Sequence, residues 1–140
     1  MSEDVQMKGK RNWLEIALWT VQILLAAGYA MAGAMKIFNP ISELALEMAY
    51  AADVPEWFVR SVGVLELAGS VGIILPAALR ILTWLTPLTA VCFSLVQVTA
   101  IGIHAVYGET AQFLALNLTL LSMSLFVLWG RWKKLPIAAR

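Results

Sequence analysis

Glu66 stands in the middle of an apolar stretch running from Val62 to Leu79. Three other apolar stretches carry polar side chains at comparable depth: Tyr29, Gln97 and Asn117. Lys36 follows Tyr29 by seven residues, and His104 follows Gln97 by the same step. Seven residues are close to two helical turns, so each pair shares one helix face. A carboxylate in an apolar interior, with an ammonium and an imidazole near the mouth of the same pocket, can shuttle protons. Glu66 and His104 are therefore the candidate catalytic residues. Lys36, Tyr29, Gln97 and Asn117 are the candidate binding residues.

Other chemistry is excluded or left without support. His104 is the single histidine and Cys92 the single cysteine. That rules out an intramolecular disulfide, a CxxC pair and bis-histidine haem within one chain, and no metal site is expected. Zinc would need carboxylates or a second subunit. No G-x-S-x-G, GxGxxG or P-loop pattern is present. The net charge of +1 and the lack of a basic face give nucleic acid nothing to bind. Cys92 reads as a small core hydrophobe. Glu109, close to His104, reads as a solvated loop charge. His104 itself, at a span end, reads more readily as an interfacial hydrogen bonder than as a ligand.

The elements that must position these residues follow from hydropathy. Of 140 residues, 61% are hydrophobic and 14% charged, which leaves no soluble domain over. Spans are expected over 13–35, 58–79, 81–107 and 111–130, in a single membrane domain covering 1–140. A hydrocarbon core of ~30 Å needs ~20 helical residues, and each stretch meets that with modest tilt or flanks. Lys8, Lys10 and Arg11 precede the first stretch as they would in a signal peptide. The stretch exceeds the ~7–15 residues of an h-region, so a retained span is expected.

Lys8, Lys10, Arg11, Arg80, Arg131, Lys133, Lys134 and Arg140 fall on the two tails and the middle link. Only Lys36 and Arg60 fall elsewhere. The positive-inside rule then places both termini in the cytoplasm, with the protein in the cell's inner membrane. Trp13, Trp57, Trp84, Trp129 and Trp132 sit near span ends, as an aromatic belt requires. Trp19 has no such explanation.

The first link is the only long one. Asn39-Pro40 is a helix-start signal, with Asn39 as cap. Ile41, Leu44, Ala45, Met48 and Ala52 recur at helical spacing opposite Glu43 and Glu47. This predicts an amphipathic helix over 40–52, in the lipid interface or over the bundle mouth. The remaining links are short and force antiparallel neighbours. The fold expected is an all-α integral membrane antiparallel four-helix bundle, with a short amphipathic outer helix between spans 1 and 2. The Gly28/Ala32/Met35 face, with Gly33 beside it, and Gly63, Gly69 and Gly72 read as close-packing surfaces.

Counting from the outer ends places Tyr29, Glu66, Gln97 and Asn117 in one layer ~10 Å deep. Lys36, Arg60 and His104 form a layer above it. Arg60, six residues before Glu66, is too far round the helix to pair with it. This pattern fits an outward-opening pocket with Glu66 at its base. It fits equally an interhelical hydrogen-bond knot that fixes register. Glu66→Gln separates the two, because a knot tolerates it and a proton-handling site does not.

The segments AGYAMAGAMKIFNP, VRSVGVLELAGSVGIILP and LTPLTAVCFSLVQVTAIGIH resemble the DoxX and DoxX-like family of small four-span membrane proteins. The likeness runs from about Gly28 to Arg131. It rests on Gly33 and Lys36, on Gly63-x-x-Glu66-Leu67 with Gly69, and on His104. The resemblance implies quinone-linked oxidation of small molecules, as in the membrane subunit of a thiosulfate:quinone oxidoreductase. Other members are tied to quinone or catechol stress, and eukaryotic relatives act as assembly factors. Thiol-handling relatives bring cysteines that this chain lacks. The expectation is a protein that binds a quinone or similar lipophilic molecule. Glu66 relays protons, and His104, Lys36 and Gln97 meet the polar head. With no redox centre in the chain, electrons need a partner subunit, a homo-oligomer or a bound cofactor. The alternative is a non-enzymatic accessory factor for assembling another membrane protein. A transporter is disfavoured, since four spans offer no broken-helix pair.

Overall fold

Apolar stretches of this length propagate as helices until turn residues stop them, and the chain is helical almost throughout. The computed structural model describes residues 1–140. Helix α1 runs Ser2–Phe38, α2 Ile41–Glu47, α3 Glu56–Leu79, α4 Leu85–Val106 and α5 Thr110–Trp129. A 3₁₀ turn, Ala49–Ala52, follows α2, and a π-helical turn, Gly130–Lys134, follows α5. The helices α1, α3, α4 and α5 (with its π turn) are long and apolar enough to cross a membrane. The protein is a multi-pass membrane bundle.

The spans form a ring in which α1 packs on α3 and α5, and α4 packs on the same two. Leu25, Tyr29, Ile73, Ala90, Phe93 and Val127 make the central core. Each span buries only 22–28% of its most apolar window. The rest turns outward, where residues such as Ile23, Leu65 and Leu118 are exposed. An apolar surface that extensive requires lipid as its solvent.

Several boundaries differ from the sequence expectation, each for a physical reason. α1 starts at Ser2 rather than 13, because nothing in the polar tail stops it, and it reaches ~55 Å at 1.5 Å per residue. α4 starts at Leu85 rather than 81, because Arg80 and Leu82 take positive φ, 59° and 48°, in a turn that apolar composition concealed. α2 begins after Pro40, and Asn39 supplies no capping side chain. The outer helix ends at Glu47 and the chain tightens into the 3₁₀ turn. Leu44 and Ala51 are buried with Val59 of α3, which puts this segment over the bundle mouth. Cys92 is exposed on the lipid-facing surface, not in the core.

The glycines divide by role. A Cβ on Gly33 would lie 2.6 Å from the Gly63 carbonyl oxygen, and one on Gly63 would lie 2.8 Å from that of Gly33. The backbones of α1 and α3 thus meet at this pair. Gly69 and Gly72 make room on α4 for Phe93 and Thr89. A Cβ on Gly28 would meet nothing within 4 Å, and the Gly28/Ala32/Met35 face lines a cavity rather than a helix contact.

Candidate functional site

Close approach of α1 and α3 has a direct chemical consequence. Lys36 lies one turn above Gly33, and its stem passes over Gly63. Its ammonium then reaches Glu66, one turn deeper on α3. Lys36 Nζ donates to Glu66 Oε1 at 3.1 Å and Oε2 at 3.0 Å. Both side chains are under 10% exposed, at 9% and 8%, so this ion pair is held inside the bundle. Lys36 and Glu66, assigned to separate layers by counting, therefore form one unit.

The pair faces a cavity of about 550 Å³ lined by all four spans and by the outer segment. Tyr29, Lys36, Glu66, Gln97, His104 and Asn117 all line it. Gln97 Nε2 donates to the Tyr29 hydroxyl, and Tyr29 stacks on Phe93 with ring centres 3.7 Å apart. Gln97 Oε1 and Asn117 Nδ2 are buried and have no protein partner. An orphaned buried polar atom costs about 1–3 kcal/mol, so a polar group seated beside these two would stabilise both. Thr99 and, from the outer segment, Glu47 and Tyr50 also line the cavity, and the rest of the wall is apolar. Met31, Leu95 and Leu116 line the cavity and are also exposed on the bundle surface, which opens it sideways toward lipid.

Arg60 leaves the layer to which counting assigned it. Its Nη1 donates to the carbonyls of Lys36 and Asn39, both at 2.7 Å, and so closes the C-terminal end of α1. Its other contact is Glu56, one turn earlier, and it does not pair with Glu66.

Glu109 is the residue that sequence reasoning dismissed. Gly108 takes φ 72°, open to glycine without strain, and the tight turn brings Glu109 back beneath His104. His104 Nδ1 lies 2.9 Å from Glu109 Oε2. A carboxylate can only accept, so Nδ1 carries the proton and Nε2 remains for other contacts. His104 also stacks on Phe113 at 4.1 Å. The other Glu109 oxygen accepts from the Ala49 amide at 3.1 Å, tying the 3₁₀ turn to the α4–α5 corner. The glycine-acid pair at a helix start was the signal available in the sequence. Tyr50, also over the mouth, is pushed up by burial and then by the Glu66 charge.

The His104 and Ala49 hydrogen bonds hold the Glu109 carboxyl below the usual carboxylate range. Its stabilising effect is complete above the unfolded value of ~4.3 and is lost as pH falls through the depressed folded value. Amide exchange in residues 49–53, taken relative to the intrinsic rate at each pH, is expected to rise as the solution is acidified below about pH 4. Glu109→Gln should raise it already at pH 7. Identical exchange in the two proteins at pH 7 would show that this tie does not hold the cap.

A multi-pass four-helix bundle with a polar-ended internal cavity defines the class of protein. The chain belongs to the DoxX-like family, whose model matches residues 20–127. No curated protein and no solved structure is detectably similar to it. The matched region contains all of the cavity's polar residues named above. No group of three His, Cys, Asp or Glu side chains is placed to hold a metal ion.

Proposed function

We propose that this protein binds a quinone or a similar lipophilic molecule in the cavity between its spans, as part of a redox process in the cell's inner membrane. The observation that carries this reading is the union of apolar, laterally open walls with a buried Lys36–Glu66 pair and two unpartnered amide atoms. A volume of about 550 Å³ suits a small ligand rather than a lipid tail bundle. The ring of such a ligand meets Lys36, Gln97, His104 and Asn117, while its apolar part leaves past Met31, Leu95 and Leu116. Glu66 gives one of the two protons that quinone reduction takes up, or accepts one of the two that quinol oxidation releases, and the other exchanges with water at the cavity mouth. The two electrons come from, or pass to, a partner subunit or a bound cofactor. The excess of basic residues on the tails and the middle link supports cytoplasmic termini and a cavity mouth on the opposite side.

Titration of the purified protein with a short-chain quinone, followed by quenching of intrinsic fluorescence, tests this. Saturable quenching is expected. Asn117→Leu, which removes one polar contact worth about 1.4 kcal/mol, should weaken binding about tenfold. Glu66→Gln should keep the fold and the binding but lose proton-coupled turnover. No binding on titration, together with lipid extracts free of quinone, would remove the reading.

A further inference from the structure

The opposite end of the bundle holds a second polar cluster, one that quinone binding does not use. Arg131, in the π turn after α5, is 3% exposed. Its Nε donates to Gln22 Oε1 at 2.7 Å, and its Nη1 donates to both oxygens of Glu15 at 2.9 and 3.0 Å. Its guanidinium lies over the Trp19 ring, 5.5 Å from the centre, which accounts for that tryptophan. Its Nη2 has no partner, so one donor edge of a buried cation is unused.

Beside this cluster lies a cleft of about 380 Å³ lined by Arg11, Glu15, Trp19, Arg80, Arg131 and the C-terminal residues 136–138. Three guanidiniums therefore face one carboxylate. Glu15 is already committed to Arg131. Arg80 donates Nε to the neutral Ala138 carbonyl at 2.7 Å, and neither Arg11 nor Arg80 has a carboxylate partner. Uncompensated cations in a concave site repel one another unless an anion joins them. The backbone adds a second indication. Arg80 closes α3 in the left-handed region, φ 59° and ψ 34°, where a glycine would carry no steric penalty. An L side chain is disfavoured there, and the residue held in this conformation is an arginine that lines the cleft. The amide of Arg140 donates to the Arg80 carbonyl at 3.1 Å and fastens the C-terminal segment alongside.

We propose that this cleft binds a phosphate-bearing anion, with Arg11 and Arg80 as direct donors and Arg131 as the fixed cation behind them. Planar guanidinium forks match phosphate oxygens in geometry as well as charge. The cleft lies at the end of the spans where Trp13, Trp84 and Trp132 are exposed, the depth at which phospholipid head groups sit. An anionic phospholipid and a soluble phosphate share this chemistry, and experiment separates them. Arg11, Glu15 and Arg131 fall outside the region matched by the family model, so the site is read from this chain alone.

Thermal unfolding of the full chain in neutral detergent is the test, with dioleoylphosphatidylglycerol, dioleoylphosphatidylcholine and inorganic phosphate added separately. Saturating phosphatidylglycerol should raise Tm by about 5 °C, and phosphatidylcholine, whose choline cancels the charge, should not. An equal rise with inorganic phosphate supports the same site with a soluble source. The double variant Arg11→Gln/Arg80→Gln alters two exposed side chains and should fold. Its apparent affinity for the effective anion should fall at least tenfold. The absence of any anion-dependent shift, or a shift undiminished in the double variant, overturns the proposal.

Discussion

Lys36→Met is expected to destabilise the protein by about 3–5 kcal/mol, the usual loss when one member of a buried ion pair is removed. Its ammonium is the sole hydrogen-bonding partner of the Glu66 carboxylate, at 3.0 and 3.1 Å, and both side chains are buried among spans. Without Lys36 the carboxylate remains in an apolar interior with no cation. Glu66→Gln should cost less, because Lys36 is longer, lies nearer the mouth and can turn outward. The double variant Lys36→Met/Glu66→Gln should recover most of the loss, since replacing both charges by neutral groups of similar volume is often close to neutral. Unfolding midpoints of the four proteins in one detergent complete a double-mutant cycle. If the double variant is as unstable as the sum of the singles, the two charges are not coupled. On the proposed quinone reading, turnover should be absent from Glu66→Gln while its fold and its ligand binding are retained. That outcome separates the proton-handling role from the structural one.

Gly33→Ala should be the second severe change, costing about 1–3 kcal/mol through overpacking. Its new Cβ would lie 2.6 Å from the Gly63 carbonyl oxygen and 3.1 Å from the Leu67 amide nitrogen. Both are backbone atoms and cannot swing aside, so α1 and α3 must separate. Separation also draws Lys36 away from Glu66, and the Gly33→Ala loss should shrink in the Lys36→Met/Glu66→Gln background. Gly28→Ala is the control on the same helix. Nothing lies within 4 Å of its Cβ, and alanine favours the helix by about 1 kcal/mol, so it should be neutral or stabilising. Comparable losses at Gly28 and Gly33 would show that backbone approach is not what holds these helices together.

The six polar residues singled out in the sequence line one cavity, but counting along the helices put Lys36 a layer above Glu66, where the structure pairs them. Rise per residue is constant, so counting along antiparallel stretches put Tyr29, Glu66, Gln97 and Asn117 at similar expected depth. The outer helix was legible from the spacing of Ile41, Leu44 and Ala45, although its end at Glu47 was not. Facing around the helix axis was less secure. Arg60 was correctly kept apart from Glu66, but that it would bond the end of α1 depends on a neighbouring helix. Gly28 and Gly33 look alike in sequence, and only the helix opposite each one decides which is a contact.

Composition and spacing alone determined that this chain crosses a membrane as a bundle of antiparallel helices, with Glu66 inside it. Lipid cannot satisfy backbone hydrogen bonds, and that leaves apolar stretches of span length one solution. The tertiary structure decided which charges meet. Lys36 reaches Glu66 because two glycines let α1 and α3 touch, Glu109 turns back onto His104, and Arg131 joins Glu15 from 116 residues away. Such pairings depend on side-chain reach, rotation about helix axes and the ring order of the spans. Those quantities arise only when all the helices pack together, because each is set by the shape of its neighbours.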